Sequence, residues 1–131
     1  MLARAVADYL VAQGLGTVGG DLFVDYLPSQ PDAARAVFHT GGVAPDGRLG
    51  WDTLTVQLRS RDMDPQAAYD WLLAAYSRLH GLDHYQLGGY YLVGCNAIQP
   101  APVNIGRDQA GRQEYTLNLA LTIRNQTTHR E

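Results

Sequence analysis

Few residues of this 131-residue chain have the spacing that catalysis or metal binding requires. His80 and His84 are four apart, as are two zinc ligands on one face of a helix, but Gly81 interrupts a helix between them. Asp62 and Asp64 resemble the start of a calcium-binding loop whose later ligands and terminal glutamate are missing. We therefore interpret the histidines as helix-cap and loop residues, and Asp64 as a helix N-cap.

Other possible sites for chemistry also lack the context they need. The segment Gly14–Gly19 matches the dinucleotide-binding pattern G-x-G-x-x-G, but it follows a predicted helix and precedes a predicted strand, the reverse of the real motif. Cys95 is the single cysteine and ends an apolar run, which indicates a buried structural thiol. The only glutamates are Glu114 and Glu131, so a paired-glutamate mechanism is absent. The sequence predicts no catalytic residue, no cofactor and no metal.

Composition describes one globular domain, residues 1–131, with an excess of acidic charge. The net charge of −3 argues against a broad basic surface for nucleic acid. All ten basic residues are arginines, whose planar fork suits contacts between subunits better than lysine does. No apolar stretch approaches the roughly 20 residues of a membrane helix, and the first residues lack a signal peptide's apolar core. We expect synthesis and function without export.

Hydrophobic spacing and capping residues predict two helices. The first covers about residues 2–13, where apolar side chains recur at helical spacing, namely Leu2, Val6, Tyr9 and Leu10. The second begins at Asp64, an N-cap that Pro65 follows at the first helical position. This helix is predicted to end at Gly81.

The rest of the chain is predicted to form strands and loops. Apolar and polar residues that alternate, with turn residues at the ends, predict strands over residues 22–27, 34–40, 53–59 and 115–124. A hairpin that turns at Gly88-Gly89 is predicted within residues 85–99. Gly41–Trp51 and Pro100–Gln113 remain as long loops, and the polar tail Asn125–Glu131 is predicted to fray. This order favours an α+β fold, a mostly antiparallel sheet with two helices packed on one face.

Several short phrases follow one another in an order known from one family. They are Asp21-Leu22-Phe23, Thr40-Gly41-Gly42, Thr55 to Arg61, Leu79-His80-Gly81-Leu82, and Ile105-Gly106-Arg107-Asp108 with Gly111-Arg112 leading into Tyr115-Thr116-Leu117-Asn118. With these phrases the chain resembles the phage minor capsid protein family, whose members are usually assigned as tail terminators or head–tail joining proteins. The likeness runs over nearly the whole chain and rests on the sequential match.

The resemblance implies a structural protein of the virion, made in the host cytoplasm, and no enzyme. Such a subunit belongs to a ring, typically a hexamer, at the head-proximal end of a siphophage tail. The ring stops polymerisation of the tail tube, contacts the head connector, and lets DNA pass without binding it tightly. A neck or head-completion (minor capsid) protein is the alternative within phages. A host α+β ligand-binding or enzymatic domain is the alternative outside them.

Within this interpretation, the two long loops are the candidate contact regions. The residues that we expect to contact a neighbouring subunit or the tube are Arg48, Trp51, Arg107, Asp108 and Arg112. Those that we expect to line the lumen are Asp46 and Asp52. The competing interpretation is that the aspartates, Asp108 above all, only organise tight turns.

Overall fold

The computed structural model describes residues 1–130, and these form two helices and seven strands. The helices are α1 (Leu2–Ala12) and α2 (Pro65–Leu79). The strands are β1 (Leu22–Val24), β2 (Ala34–Gly42), β3 (Trp51–Asp62), β4 (Asp83–Leu87), β5 (Tyr90–Ala97), β6 (Val103–Arg107) and β7 (Gln113–Arg124). Neither helix is long and apolar enough to cross a membrane.

All seven strands belong to one sheet in the order β1-β2-β3-β7-β5-β4. Strand pairs are antiparallel except for β1 with β2, which is parallel. The central pair β3–β7 is in register along its whole length, from Trp51 opposite Arg124 to Asp62 opposite Gln113. Because β3 fills one edge of β7, β5 and β6 share the other edge. The predicted α+β fold with a mostly antiparallel sheet is confirmed.

The core lies between the sheet and the two helices. Alternate residues of β7 are buried, as its pattern predicted, and they join the buried stripe of α2 and most of α1 in one cluster. The α2 stripe consists of Ala68, Leu72, Ala75 and Leu79. Each fully buried leucine contributes about 1.5–3 kcal/mol of hydrophobic stabilisation. Both helices therefore cover one face of the sheet.

The two helices begin in different ways. Asp64 caps α2 as predicted, because its Oδ1 accepts the Gln66 backbone N–H at 3.0 Å and Pro65 follows it. Helix α1 has no cap from Met1; instead the Ala3 N–H donates to His39 Nε2 at 3.1 Å. Since Nε2 accepts, the His39 proton is on Nδ1, which donates to Asp25. A strand residue thus replaces the missing local cap.

Two predicted boundaries and the predicted state of the tail are wrong. The strand predicted over 22–27 ends at Val24, because Asp25 takes a left-handed φ of 63°. The predicted loop Pro100–Gln113 contains β6, whose five residues are all exposed and include only two alternating apolar residues, Val103 and Ile105. Residues 125–130 of the tail return to the sheet, where Arg130 pairs with Asp52. Glu131 lies outside the described residues.

Candidate interaction surfaces

The predicted contact residues fall into two groups at opposite ends of the β3–β7 pair. Trp51 opens β3 beside Arg48, whereas Arg107 lies opposite Gln113 at the far end of β7. Twelve paired residues at about 3.3 Å per residue separate the ends by roughly 35 Å. The structure therefore gives two separate surfaces and no single site.

Arg112 is held inside the subunit at the far end. Its Nε donates to Asp108 Oδ2 at 2.8 Å, its backbone N–H donates to Asp108 Oδ1, and its Nη1 donates to the Ser29 carbonyl. Its side chain is only 9% exposed. Arg112 therefore ties the 108–112 turn to the segment that precedes β2, and little of its guanidinium is left for a partner.

Asp108 organises the turn between β6 and β7. Its carboxylate accepts the backbone N–H groups of Ala110 and Arg112 as well as the Arg112 guanidinium. The backbone hydrogen bond from Arg112 is the largest cause that lowers the pKa of Asp108. The turn-organising interpretation thus describes what Asp108 does within the subunit. A contact with a neighbour stays a prediction for this residue.

Arg61 is a second buried arginine at this end, which the sequence did not single out. Its Nη2 donates to the Pro31 carbonyl at 2.7 Å, and the side chain lies beside Arg112. Together the two arginines hold residues 29–32 close to a small second core of Phe23, Ala34 and Ala36. Arg61 lies beyond the strand predicted over residues 53–59, so the alternation of that strand gave no signal for it.

Arg107 remains available on the same hairpin. The residue is exposed, and its Nη1 donates only to the Gly111 carbonyl, at 3.2 Å. On β6 the apolar Val103 and Ile105 are 41% and 47% exposed. No strand pairs with the outer edge of β6 within residues 1–130. An edge of this kind can accept a strand from another chain.

At the near end, the C-terminal segment closes over Asp52. Arg130 donates to both Asp52 oxygens, at 3.0 Å from Nη1 and 2.5 Å from Nη2, and Asn125 adds a bond of 2.7 Å. The Arg130 hydrogen bond is the main cause that lowers the pKa of Asp52. Asp46 accepts the backbone N–H groups of Arg48 and Leu49, which lowers its pKa. Of the two residues predicted to line the lumen, Asp46 thus organises its own loop and Asp52 holds the C-terminal segment.

An open cavity of about 460 Å³ lies beside the C-terminal segment, and two of the predicted contact residues line it. It is lined by Arg48, Leu49, Gly50, Trp51, Arg124 and Gln126. Trp51 is 51% exposed, and the Arg124 guanidinium lies 5.0 Å from the centre of the Tyr91 ring. Among the described lining residues there is no carboxylate, thiol, hydroxyl or imidazole. The cavity is suited to recognition and has no group that could act as a nucleophile or base.

Comparison with known families decides what kind of protein carries these surfaces. A family model described as bacteriophage tail terminator protein matches residues 9–125, which are 117 of the 131 residues. The chain belongs to the bacteriophage tail terminator family. No curated protein gives a significant match. The family is one of phage structural proteins, and membership makes the chain a virion component.

In this member of the tail terminator family, the histidines and the cysteine considered as metal ligands or nucleophile have structural roles. His80 Nδ1 accepts the Ala97 N–H at 2.9 Å, while His84 Nδ1 lies 3.1 Å from the Tyr91 hydroxyl. Burial raises the pKa of the Cys95 thiol to about 12, which keeps it protonated and unreactive. Residues 1–130 contain no group of three His, Cys, Asp or Glu side chains that could hold a metal ion.

Proposed function

We propose that the chain forms a closed ring, typically of six copies, at the head-proximal end of a siphophage tail. The ring stops polymerisation of the tube and presents a surface to the connector or neck proteins. The observation that carries this proposal is the pair of unlike exposed surfaces at opposite ends of the β3–β7 pair. A head-to-tail ring needs two different complementary surfaces on every subunit, whereas a twofold dimer needs only one.

The two surfaces have different chemistry, which suits them to different contacts. The β6 end offers an unpaired strand edge, two exposed apolar side chains and Arg107. The opposite end offers Arg48 and Trp51 around an open cavity. In the ring, Asp46 and Asp52 would lie towards the lumen, where Arg130 pairs with the Asp52 carboxylate and offsets its charge. A weakly charged lining of this kind would let DNA pass.

The first prediction concerns assembly. We expect light scattering of the purified chain, alone or with the tail-tube protein of the same phage, to show a ring of about 86 kDa, six times the 14.3 kDa of one chain. The reason is that each subunit carries two unlike exposed surfaces, so association can close on itself. A monomer under both conditions would contradict the proposal. Binding to connector protein but never to tube would favour a head-completion role.

The second prediction concerns DNA. Five of the ten arginines are in ion pairs within residues 1–130, and the net charge is −3. Tight binding of duplex DNA requires several arginines directed at phosphates. We expect no measurable affinity in an anisotropy titration at about 0.15 M salt, near physiological ionic strength. Micromolar binding that weakens steeply with salt would show instead that assembly concentrates arginines on one face.

A further inference from the structure

Two arginines at the Trp51 end of the sheet have no ionic partner among residues 1–130. Arg48 and Arg124 are exposed, and neither forms an ion pair with any residue in the described range 1–130. Both line the same open cavity as Trp51. We call the four side chains Arg48, Leu49, Trp51 and Arg124 the Trp51 patch. A carboxylate placed between its two guanidinium groups would gain charge-assisted hydrogen bonds from both.

The Trp51 patch has the composition of a protein-binding surface. Trp51 and Arg124 are opposite one another in register, and Arg124 lies over Tyr91 of the next strand. Leu49 is 46% exposed beside them. Tryptophan, tyrosine and arginine are the residues in which binding energy concentrates at protein interfaces. The patch therefore fits a partner with a carboxylate and an apolar side chain.

The charge of the chain favours another copy of itself as that partner. Without Arg48 and Arg124, the remaining formal charge is 8 arginines against 13 acidic residues, or −5. The patch is thus cationic on a subunit that is otherwise acidic. Nucleic acid fits less well, because tight binding of duplex DNA requires many phosphate contacts and the patch offers two arginines.

The matching surface lies at the other end of β3, around the start of α2. Met63 is 51% exposed there, and the carboxylates of Asp64 and Asp70 form no ion pair with other residues of the described chain. An exposed apolar side chain with two nearby carboxylates complements a tryptophan flanked by two arginines. The two surfaces are at opposite ends of the subunit, as a head-to-tail contact requires.

We propose that the Trp51 patch of one copy binds the start of α2, including Met63 and Asp70, of the next copy in the ring. This inference rests on the proposed ring and names the contact that closes it. Arg48 and Arg124 hold the carboxylates, and Trp51 packs against Met63. Each copy uses both surfaces once.

The test is the oligomeric state of the full chain, measured by native mass spectrometry under conditions in which the wild type forms its ring. Arg48→Glu and Trp51→Ala should each weaken association at least about tenfold, the loss expected at an interface hot spot. The matched control is Arg78→Glu, the same charge change at an exposed arginine outside both surfaces. It should leave the ring intact. Circular dichroism should show that each variant is folded.

A charge exchange makes the test specific for the partner surface. Arg48→Glu places two carboxylates against each other, and adding Asp70→Arg should restore association because the pair is then opposite in charge again. Asp70 suits this exchange because it is exposed and is bonded only to the Gln66 side chain. Loss of the ring in Arg48→Glu without recovery in the double variant would overturn the assignment of the α2 surface.

The remaining outcomes separate this inference from the proposed function. Wild-type rings in both Arg48→Glu and Trp51→Ala would overturn the inference and leave the ring function standing. Variants that form rings but no longer stop tube growth would identify the tube protein as the partner and would also overturn it. A wild type that never forms a ring, alone or with tube protein, would overturn the inference together with the proposed function.

Discussion

Arg112→Ala is expected to lower the free energy of unfolding by about 1.5–3 kcal/mol, the contribution of hydrogen bonds that involve a charged group. The Arg112 side chain is 9% exposed and joins Asp108, the Ser29 carbonyl and the turn before β7. Its removal leaves the Ser29 carbonyl and the Asp108 carboxylate without its guanidinium, while Arg61 still donates to the Pro31 carbonyl. Urea unfolding followed by circular dichroism measures the change.

The matched control is Arg107→Ala, five residues earlier on the same hairpin. Arg107 is exposed and donates one hydrogen bond of 3.2 Å to the Gly111 carbonyl, so its loss should leave stability nearly unchanged. As a proposed contact it should instead reduce tail completion, measured as phage titre. Equal unfolding midpoints for the two variants would contradict the structural role assigned to Arg112.

Leu72→Ala is expected to cost about 2–5 kcal/mol, the range for truncating a buried leucine. Leu72 is fully buried where α2 meets the sheet, in the same cluster as Leu119 and Leu121. A domain of this kind is stable by about 5–15 kcal/mol, so the loss would be a large share of the total. Thermal unfolding should show a fall of several degrees for each kcal/mol lost.

The adjacent Leu73 provides the control for this second experiment. Leu73→Ala removes the same side-chain atoms from the same helix, but Leu73 is 38% exposed. Leu73→Ala should therefore have a smaller effect, since more than a third of the Leu73 surface is already in contact with water. If the two alanine variants unfolded at the same temperature, the face of α2 that packs on the sheet would have been assigned incorrectly.

The elements that could be predicted from the sequence are those whose signals are local. The Asp64-Pro65 pair specifies the start of α2, because an N-cap and a proline at the first helical position act within one turn. The alternation along β7 places Leu117, Leu119 and Leu121 on the core face, because side chains of a strand alternate. Neither signal depends on a distant residue.

The features that were missed depend on distant residues or on exposure. Arg130 is 78 positions from Asp52, so nothing local indicates that the tail returns to the sheet. Strand β6 has no buried residue, and its two alternating apolar residues, Val103 and Ile105, are too few to indicate a strand. Its pairing with β7 could be seen only in three dimensions.

The surfaces were predicted in part. Arg48, Trp51 and Arg124 line one cavity. Arg124 was not predicted as a contact residue, because only the pairing of β3 with β7 brings it opposite Trp51. The hydrogen bond from the Arg112 guanidinium to the carbonyl of Ser29, 83 residues away, could not be predicted from the sequence, and a contact by Arg112 stays a prediction. Whether the exposed residues contact a neighbour or the tube stays a prediction.

Electron microscopy of phage particles assembled without this chain tests the proposed terminator role most directly. Because the ring is proposed to stop the tube and join it to the head, its loss should yield unattached, filled heads and tubes of uncontrolled length. Adding the purified wild-type chain should restore tails of fixed length with a ring at one end. Tails of normal length that end normally, beside defective heads, would contradict the terminator role and place the chain at the head instead.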